Sequence, residues 1–324
     1  GENAAVKEGV HHTSINFSPV AGMRATLSKT ASVNINYSGQ STSPDINQLQ
    51  PVTDNRNLQN IIIGNPDLKS SFHHNLSISY HQVLGKKGTM YNVSANASTI
   101  KNQIVTDLHL INDTSKGSFK QETHFRNVNG NYNVGGNYSL TKPFFDRKVN
   151  IDFSGRVGYS RSISYANDIL NIGNNLNLSQ SLRFRANFKW LGVNGGVQYG
   201  RYINHYVIGL NRNLSAETWN YNLSTNISIG RKFNAGFEGS KQISSGYYQS
   251  IANNPLYLNA NASFSFLKKE AATLAIRVND ILNQGNVPRR MVSGNSITDS
   301  RTINVTRYAL LTLMIRLNKF GGME

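Results

Sequence analysis

Apolar and polar residues alternate with period two along this chain, over long runs. Ile151, Phe153, Val157, Tyr159, Ile163 and Tyr165 share one parity, interrupted by Gly155 and Arg161. The other parity holds Asp152, Ser154, Arg156, Gly158, Ser160, Ser162 and Ser164. Successive side chains of a strand point to opposite faces, so this run predicts a strand with one apolar and one polar side. Clean alternation over about 15 residues far exceeds the roughly 5–6 of an ordinary globular strand.

The pattern recurs. Trp219, Tyr221, Leu223, Ile227 and Ile229 alternate with Asn and Ser; Leu182, Phe184, Phe188 and Trp190 alternate with Arg183, Arg185, Asn187 and Lys189. Leu258 to Phe266 and Ile303 to Leu317 behave alike. Thirteen strands are predicted, at 13–27, 30–38, 72–84, 88–110, 118–140, 148–165, 172–189, 193–210, 217–230, 233–246, 256–267, 272–283 and 302–320.

The predicted connections alternate in length. Leu27–Thr30, Leu84–Gly88, Thr141–Lys148, Lys189–Val193, Gly230–Phe233 and Leu267–Ala271 are short. The connections 39–71, 111–117, 166–171, 211–216, 247–255 and 284–301 are longer. Antiparallel neighbours then place all tight turns on one rim and all long loops on the other, the asymmetry of an outer-membrane barrel. Only a closed barrel pairs every backbone group of strands inside lipid, with an apolar outer face and a polar inner one. The expected fold is all-β, an antiparallel transmembrane β-barrel with short periplasmic turns and long extracellular loops. Tyr165, Tyr199, Trp190 and Trp219 stand where interfacial aromatics belong. A long soluble β-sheet, such as a β-helix or secreted adhesin, produces a similar alternation and stays open as an alternative, as does a passive barrel.

Composition agrees with strands. Only 15% of residues are charged, whereas Gly numbers 27 and Tyr plus Phe reach 29 from 15 and 14. There is no cysteine, which excludes disulfides, thiolate zinc sites and iron–sulfur clusters. No stretch is long and apolar enough for a membrane helix. The chain opens Gly1-Glu2-Asn3 with no signal-like segment, and the expectation is that processing or truncation removes its start. The net charge of +16 raises the possibility of nucleic-acid binding. The basic residues fall instead as scattered pairs in predicted turns, Lys86-Lys87, Arg147-Lys148, Arg231-Lys232, Lys268-Lys269 and Arg289-Arg290, so no nucleic-acid partner is expected.

Candidate chemistry is sparse. No metalloprotease, nucleophile-elbow or phosphate-loop motif occurs, and neither enzymatic activity nor a cofactor is expected. His11-His12 and His73-His74 are adjacent pairs whose side chains diverge across a strand, so no metal site is expected from them. Arg183, Arg185 and Lys189 form a basic stripe that suits the lumen, where it favours anionic solutes or a plug's acidic groups; salt bridges to neighbouring strands are the plainer role.

The stretch from Tyr37 to Tyr80 contains Pro44, then Gln48-Leu49-Gln50-Pro51, then Gly64-Asn65-Pro66-Asp67-Leu68-Lys69. In that order these residues resemble the C-terminal barrel region of TonB-dependent outer-membrane receptors of the Bacteroidota type. Ser70-Ser71 replaces the family's usual Pro-Glu. Phe125 to Tyr132 and the closing TRYALLTLMIRLNKFGG also look like the family's later strands.

The resemblance implies a single barrel domain over 1–324, about 13 of about 22 strands, with plug and N-terminal segment outside this chain. It further implies nutrient import across the outer membrane of a Gram-negative bacterium. The implied partners are membrane lipid and lipopolysaccharide, the TonB complex through the missing N-terminal region, and a surface lipoprotein. Loops 39–71 and 284–301 are the expected substrate contacts, and Phe320 the assembly signal. The motif itself is expected to fold the long loop back: Gly64 and Asn65 through left-handed or tight-turn backbone, Asp67 by capping amides, Leu68 by burial.

Overall fold

The computed structural model describes residues 16–51, 60–85, 88–113, 118–208, 213–246, 254–285, 289–293, 296–300 and 305–316. Its first part runs β1 Val20–Ser28, β2 Ala31–Thr42, the short helix α1 Ile46–Leu49, β3 Asn60–Ile62, β4 Ser71–Leu84, β5 Thr89–Lys101, β6 Gln103–Asp113, β7 Ser118–Val128 and β8 Asn131–Phe144. The remainder is β9 Val149–Ala166, β10 Ile169–Asn187, β11 Leu191–Tyr206, β12 Asn213–Ile229, β13 Phe233–Ser245, β14 Leu256–Phe266, β15 Ala272–Asn279, β16 Arg289–Ser293, β17 Ser296–Ser300 and β18 Tyr308–Ile315.

Thirteen strands follow one another along a single antiparallel path, β1-β2-β4-β5-β8-β9-β10-β11-β12-β13-β14-β15-β18. Among the described residues β1 and β18 are its two edges, so the path is an arc of barrel wall. No helix among them is long and apolar enough to cross a membrane, and crossing falls to the strands.

Register carries the apolar parity from strand to strand without a break. Ala25, Val33, Tyr80, Val93, Tyr138, Gly155, Gln180, Tyr199, Trp219 and Ile243 are successive partners, and all but Gly155 and Gln180 are apolar or aromatic. One residue of slip anywhere would turn a whole strand's apolar set to the polar side. The wall is one layer thick. Buried hydrophobic residues among those described are only Ala31, Leu49, Leu68, Val128, Tyr206, Ala216 and Ala272. Large apolar side chains such as Leu182, Phe184 and Leu313 stay about half exposed, at 47%, 43% and 57%. Water would not tolerate a band of this extent, whereas hydrocarbon covers it. This removes the soluble alternative.

Aromatic residues mark the band's edges. Phe145, Phe188 and Trp190 stand at the short-turn rim, all exposed. About 9–11 residues along tilted strands span the membrane, and at that height stand Tyr159, Tyr199 and Trp219. Tyr199 and Trp219 are cross-strand partners with ring centroids 4.8 Å apart.

Four predictions need correction. The predicted strands 88–110 and 118–140 each break, at Asn102 (φ 51°) and at Gly130 (φ 104°). Asn129 Oδ1 accepts from the Asn102 amide (2.7 Å) and Asn127 Nδ2 donates to the Asn102 carbonyl (2.7 Å), which clamps the corner. Beyond it, β6 and β7 form a separate hairpin whose own alternation conceals the break. The predicted loop 166–171 is a two-residue turn, Asn167 and Asp168 at φ 50° and 60°, the left-handed pair of a tight hairpin. β9 and β10 run on to 18 and 19 residues because their polar alternation continues past the lipid boundary. The long connections 39–71 and 284–301 are also partly regular, holding α1 with β3 and the β16–β17 pair respectively. Finally, the strand expected at 302–320 covers Tyr308–Ile315 of the described residues.

Candidate functional site

The long-loop rim between β2 and β10 is built by two local structures that meet. In the first, the chain after β2 turns at buried Pro44 into α1. Asp45 caps this turn: its Oδ1 accepts from the Asn47 amide (2.9 Å), and Gln48 Oε1 accepts from the Asp45 amide (2.9 Å). Both groups satisfy amides that a helix start leaves open. Leu49 is buried, and Pro51 is exposed.

The Gly64–Lys69 stretch then returns against α1. The Asn65 amide donates to Gln48 O (2.6 Å), and Asn65 Nδ2 donates to Phe125 O on β7 (3.0 Å). Asn65 Oδ1 accepts from the Asp67 amide (2.9 Å). The capping side chain is therefore Asn65, while Asp67 and Pro66 are exposed. Gly64 does not have a positive φ among the described residues. A glycine is required there by close approach, since a β-carbon would overlap the Gln50 backbone. Leu68 is buried as expected.

The second structure is the β6–β7 hairpin. β3 pairs with β7 in parallel, Ile61 opposite Glu122, and Asn127 exchanges two hydrogen bonds with the Lys69 backbone, of 2.7 and 2.9 Å. On its other side β6 meets the end of β9, Asp107 opposite Tyr165 and Leu108 opposite Ala166. The hairpin is thus fastened on both flanks, by β3 on one and by the end of β9 on the other.

One face of the hairpin is charged. Asp107 and His124 are cross-strand partners, as are His109 and Glu122, with Arg126 two residues along. Asp107 is fully buried. Its Oδ2 accepts a short hydrogen bond from Arg126 Nη2, which also donates to Asp168 Oδ1 (2.6 Å) on the β9–β10 turn. The guanidinium lies 4.3 Å from the Tyr165 ring centroid. The hydrogen bond from Arg126 holds the Asp168 carboxyl below the usual carboxylate range, against the opposing effect of burial. His109 Nε2 stands 3.4 Å from Asp107 Oδ1 and 3.8 Å from Asp168 Oδ2, and its ring lies 4.6 Å from that of His124. A hidden acidic residue with a guanidinium, two imidazoles and an exposed carboxylate is a site with binding capacity at the outer mouth.

None of these five residues stood out in the sequence. His109 and Asp107 do alternate in the i, i+2 spacing that puts two ligands on one strand face, and that was the available signal. Asp45 was likewise legible from Asp-x-x-Gln.

The polar face of the wall forms the lumen side. Arg183 sits there, exposed, in a concavity of about 350 Å³ with Ser181, Gln198, Asn220, Asn222 and Tyr257. Among the described residues Arg183 makes no ion pair with a carboxylate. Arg185 Nε donates to Asn194 Oδ1 (3.2 Å). Lys189 is on the short-turn rim between β10 and β11, away from the concavity. A second concavity of about 430 Å³ holds Arg156 among Asn96, Asn133, Asn137, Ser160 and Asn177. His74 Nδ1 pairs with Tyr37 Oη (3.0 Å), apart from His73, which fits diverging neighbours. Phe320 lies outside the described residues, as do 52–59, 286–288, 294–295 and 301 of the two long loops.

Comparison with solved structures finds similar chains, among them the following three. The ferric-catecholate import receptor Fiu of E. coli K12, in its open form, is 10% identical with a TM-score of 0.44, covering 93% of this chain and 57% of that one. This chain thus spans little more than half of that receptor's length. The TodX monoaromatic hydrocarbon channel (a deltaS2 mutant) is 9% identical with a TM-score of 0.32, over 94% of this chain and 84% of that one. LpxR from Salmonella typhimurium is 11% identical with a TM-score of 0.23, over 77% and 88%. No curated protein matches the chain. The family of outer membrane protein beta-barrels matches residues 1–192 and 169–314. With the one-layer wall, the register-continuous apolar band and the two aromatic edges, that match places this chain in the outer membrane protein beta-barrel family of the bacterial outer membrane.

Proposed function

We propose that this chain is the C-terminal barrel portion of a TonB-dependent receptor, importing a scarce nutrient through a plugged lumen without covalent chemistry. The observation that carries this reading is the packing of the Pro44, Gln48-Leu49 and Gly64-Lys69 elements into one clasp at the outer mouth, the segment that most resembles those receptors. The 13-strand path supports it further. An unpaired strand edge is untenable in lipid, and a wider barrel of about 22 strands offers both edges a partner. The lumen face offers hydrogen-bonding Asn and Ser with Arg156 and Arg183, suited to holding a plug or guiding a polar solute.

Outward-facing Arg161 and Arg201 stand just above the upper aromatic edge, where phosphates of lipopolysaccharide meet a barrel; Arg201 is 3.6 Å from Glu217. The TonB complex would engage a segment N-terminal to this chain, and a surface lipoprotein would sit on the long-loop rim.

The test is uptake by cells with and without the whole gene, using iron chelates, oligosaccharides, peptides and cobalamin, with and without a protonophore. Saturable uptake that the protonophore abolishes supports the proposal. Gene-dependent uptake that survives the protonophore would establish a passive channel.

A further inference from the structure

Beyond transport, the outer-mouth cluster has the donors and spacing of a cation site. The carboxylates of Asp107 and Asp168 each give Arg126 one oxygen and turn the other toward His109. Arg126 therefore orients both carboxylates, as outer-shell partners of metal ligands do. Asp107 Oδ1, His109 Nε2 and Asp168 Oδ2 all lie within 4.8 Å of one another. Ligands about 2.0–2.2 Å from a tetrahedral zinc ion stand roughly 3.3–3.6 Å apart. The 3.4 Å separation of His109 and Asp107 meets this, and the 3.8 Å to Asp168 needs a small closure. Asp168 is the ligand able to move: its side chain is 69% exposed on a two-residue turn, while that of Asp107 is fully buried. Charge also favours a cation, because the carboxylates of Asp107, Asp168 and Glu122 gather beside the Arg126 guanidinium.

The geometry points to a site for one divalent transition-metal ion of the zinc class, held by Asp107, His109 and Asp168 with the remaining position open to water. A nitrogen donor with two carboxylates suits such an ion, whereas calcium and magnesium prefer oxygen alone. The His124 ring, 4.6 Å from that of His109 and tilted by 56°, holds the imidazole in place. Because Asp107 and His109 belong to β6 and Asp168 to the β9–β10 turn, the ion fastens the hairpin to the wall.

The test uses the whole receptor, free of any affinity tag, in detergent micelles after dialysis against a chelator. Zinc is titrated in competition with a chromophoric chelator at neutral pH. One equivalent is expected to bind, and Asp168→Asn and His109→Gln each to weaken it at least about tenfold. His73→Gln and His205→Gln serve as controls and leave it unchanged. Unaltered gel mobility shift on heating shows that each variant barrel is assembled; if His109→Gln fails this, Asp168→Asn, at an exposed turn, decides. Failure to bind zinc, binding indifferent to Asp168→Asn, or equal competition by calcium would each overturn the proposal.

Discussion

Gly64 lies so close to the backbone of Gln50 that no β-carbon fits between them. The contact joins two sequence elements, Gln48-Leu49 and Gly64-Lys69, whose spacing in the chain conceals that they touch. Substituting Gly64→Val forces that contact apart, with a cost of the order of about 1–3 kcal/mol for overpacking. Less assembled barrel is expected, read as a loss of heat-modifiable mobility on a gel; Gly64→Ala should show the same direction with a smaller effect.

The cap at α1 makes a separate expectation. Asp45→Ala removes the acceptor for the Asn47 amide and costs about 0.5–2 kcal/mol of local stability. Hydrogen exchange should quicken in 45–50 and in the Asn65 amide that bonds to Gln48, leaving the membrane strands unchanged.

Arg126 neutralises the buried Asp107. In an Arg126→Leu variant that carboxylate loses its guanidinium, and a buried charge without a partner is strongly unfavourable. Protease sensitivity and amide exchange across 103–128 should rise well above those of β10, and a second substitution, Asp107→Asn, should recover part of the protection. If the hairpin stays as protected as in the wild type, the cluster contributes nothing to its docking.

Asp280 governs the start of the last long loop. Burial alone would raise its carboxyl. Hydrogen bonds from Thr306 Oγ1 (2.6 Å) and the amides of Gln284 (2.8 Å) and Gly285 (2.7 Å), with the charge of Arg307, hold it below the usual value. A depressed pKa stabilises the loop at all pH above the ordinary carboxylate value of about 3.9. That stability falls as pH drops through the lower folded value. Exchange protection of the Gln284 and Gly285 amides should therefore hold at neutral pH and vanish only in strong acid, while Asp280→Asn should lower it at every pH above that range.

Arg183 and Arg156 face the lumen, and reversing their charge should change what the wall attracts. Arg183→Glu with Arg156→Glu is expected to lower uptake of anionic solutes at least several-fold while sparing barrel assembly. Uptake and plug retention indistinguishable from wild type would leave these arginines with a structural role alone.

How much was legible can be judged from particular elements. The 13-strand path matches the predicted strands one for one in order, because period-two alternation is a local property of each strand and every wall residue faces either lipid or lumen. The corner at Asn102 went unseen because β6 alternates as β5 does. Asn167-Asp168 was taken for a loop because two turn-forming residues inside polar alternation look like its beginning, whereas their left-handed φ values make the tightest connection available. In the Gly64 motif, the turn and the burial of Leu68 were foreseen, but the reason for the glycine and the capping residue were not.

The sequence by itself determined the order of the wall strands, which face meets hydrocarbon, and that the fold is an outer-membrane β-barrel. Each follows from parity, turn chemistry or a contiguous motif, all properties of neighbouring residues. Only the tertiary structure decided that β6 of the hairpin docks on the end of β9 and brings Asp107 and His109 to Asp168. Asp107 and Asp168 are 61 positions apart. Their meeting depends on a corner set by two asparagine side chains and on how far β9 and β10 extend above the membrane, and neither leaves a periodic trace.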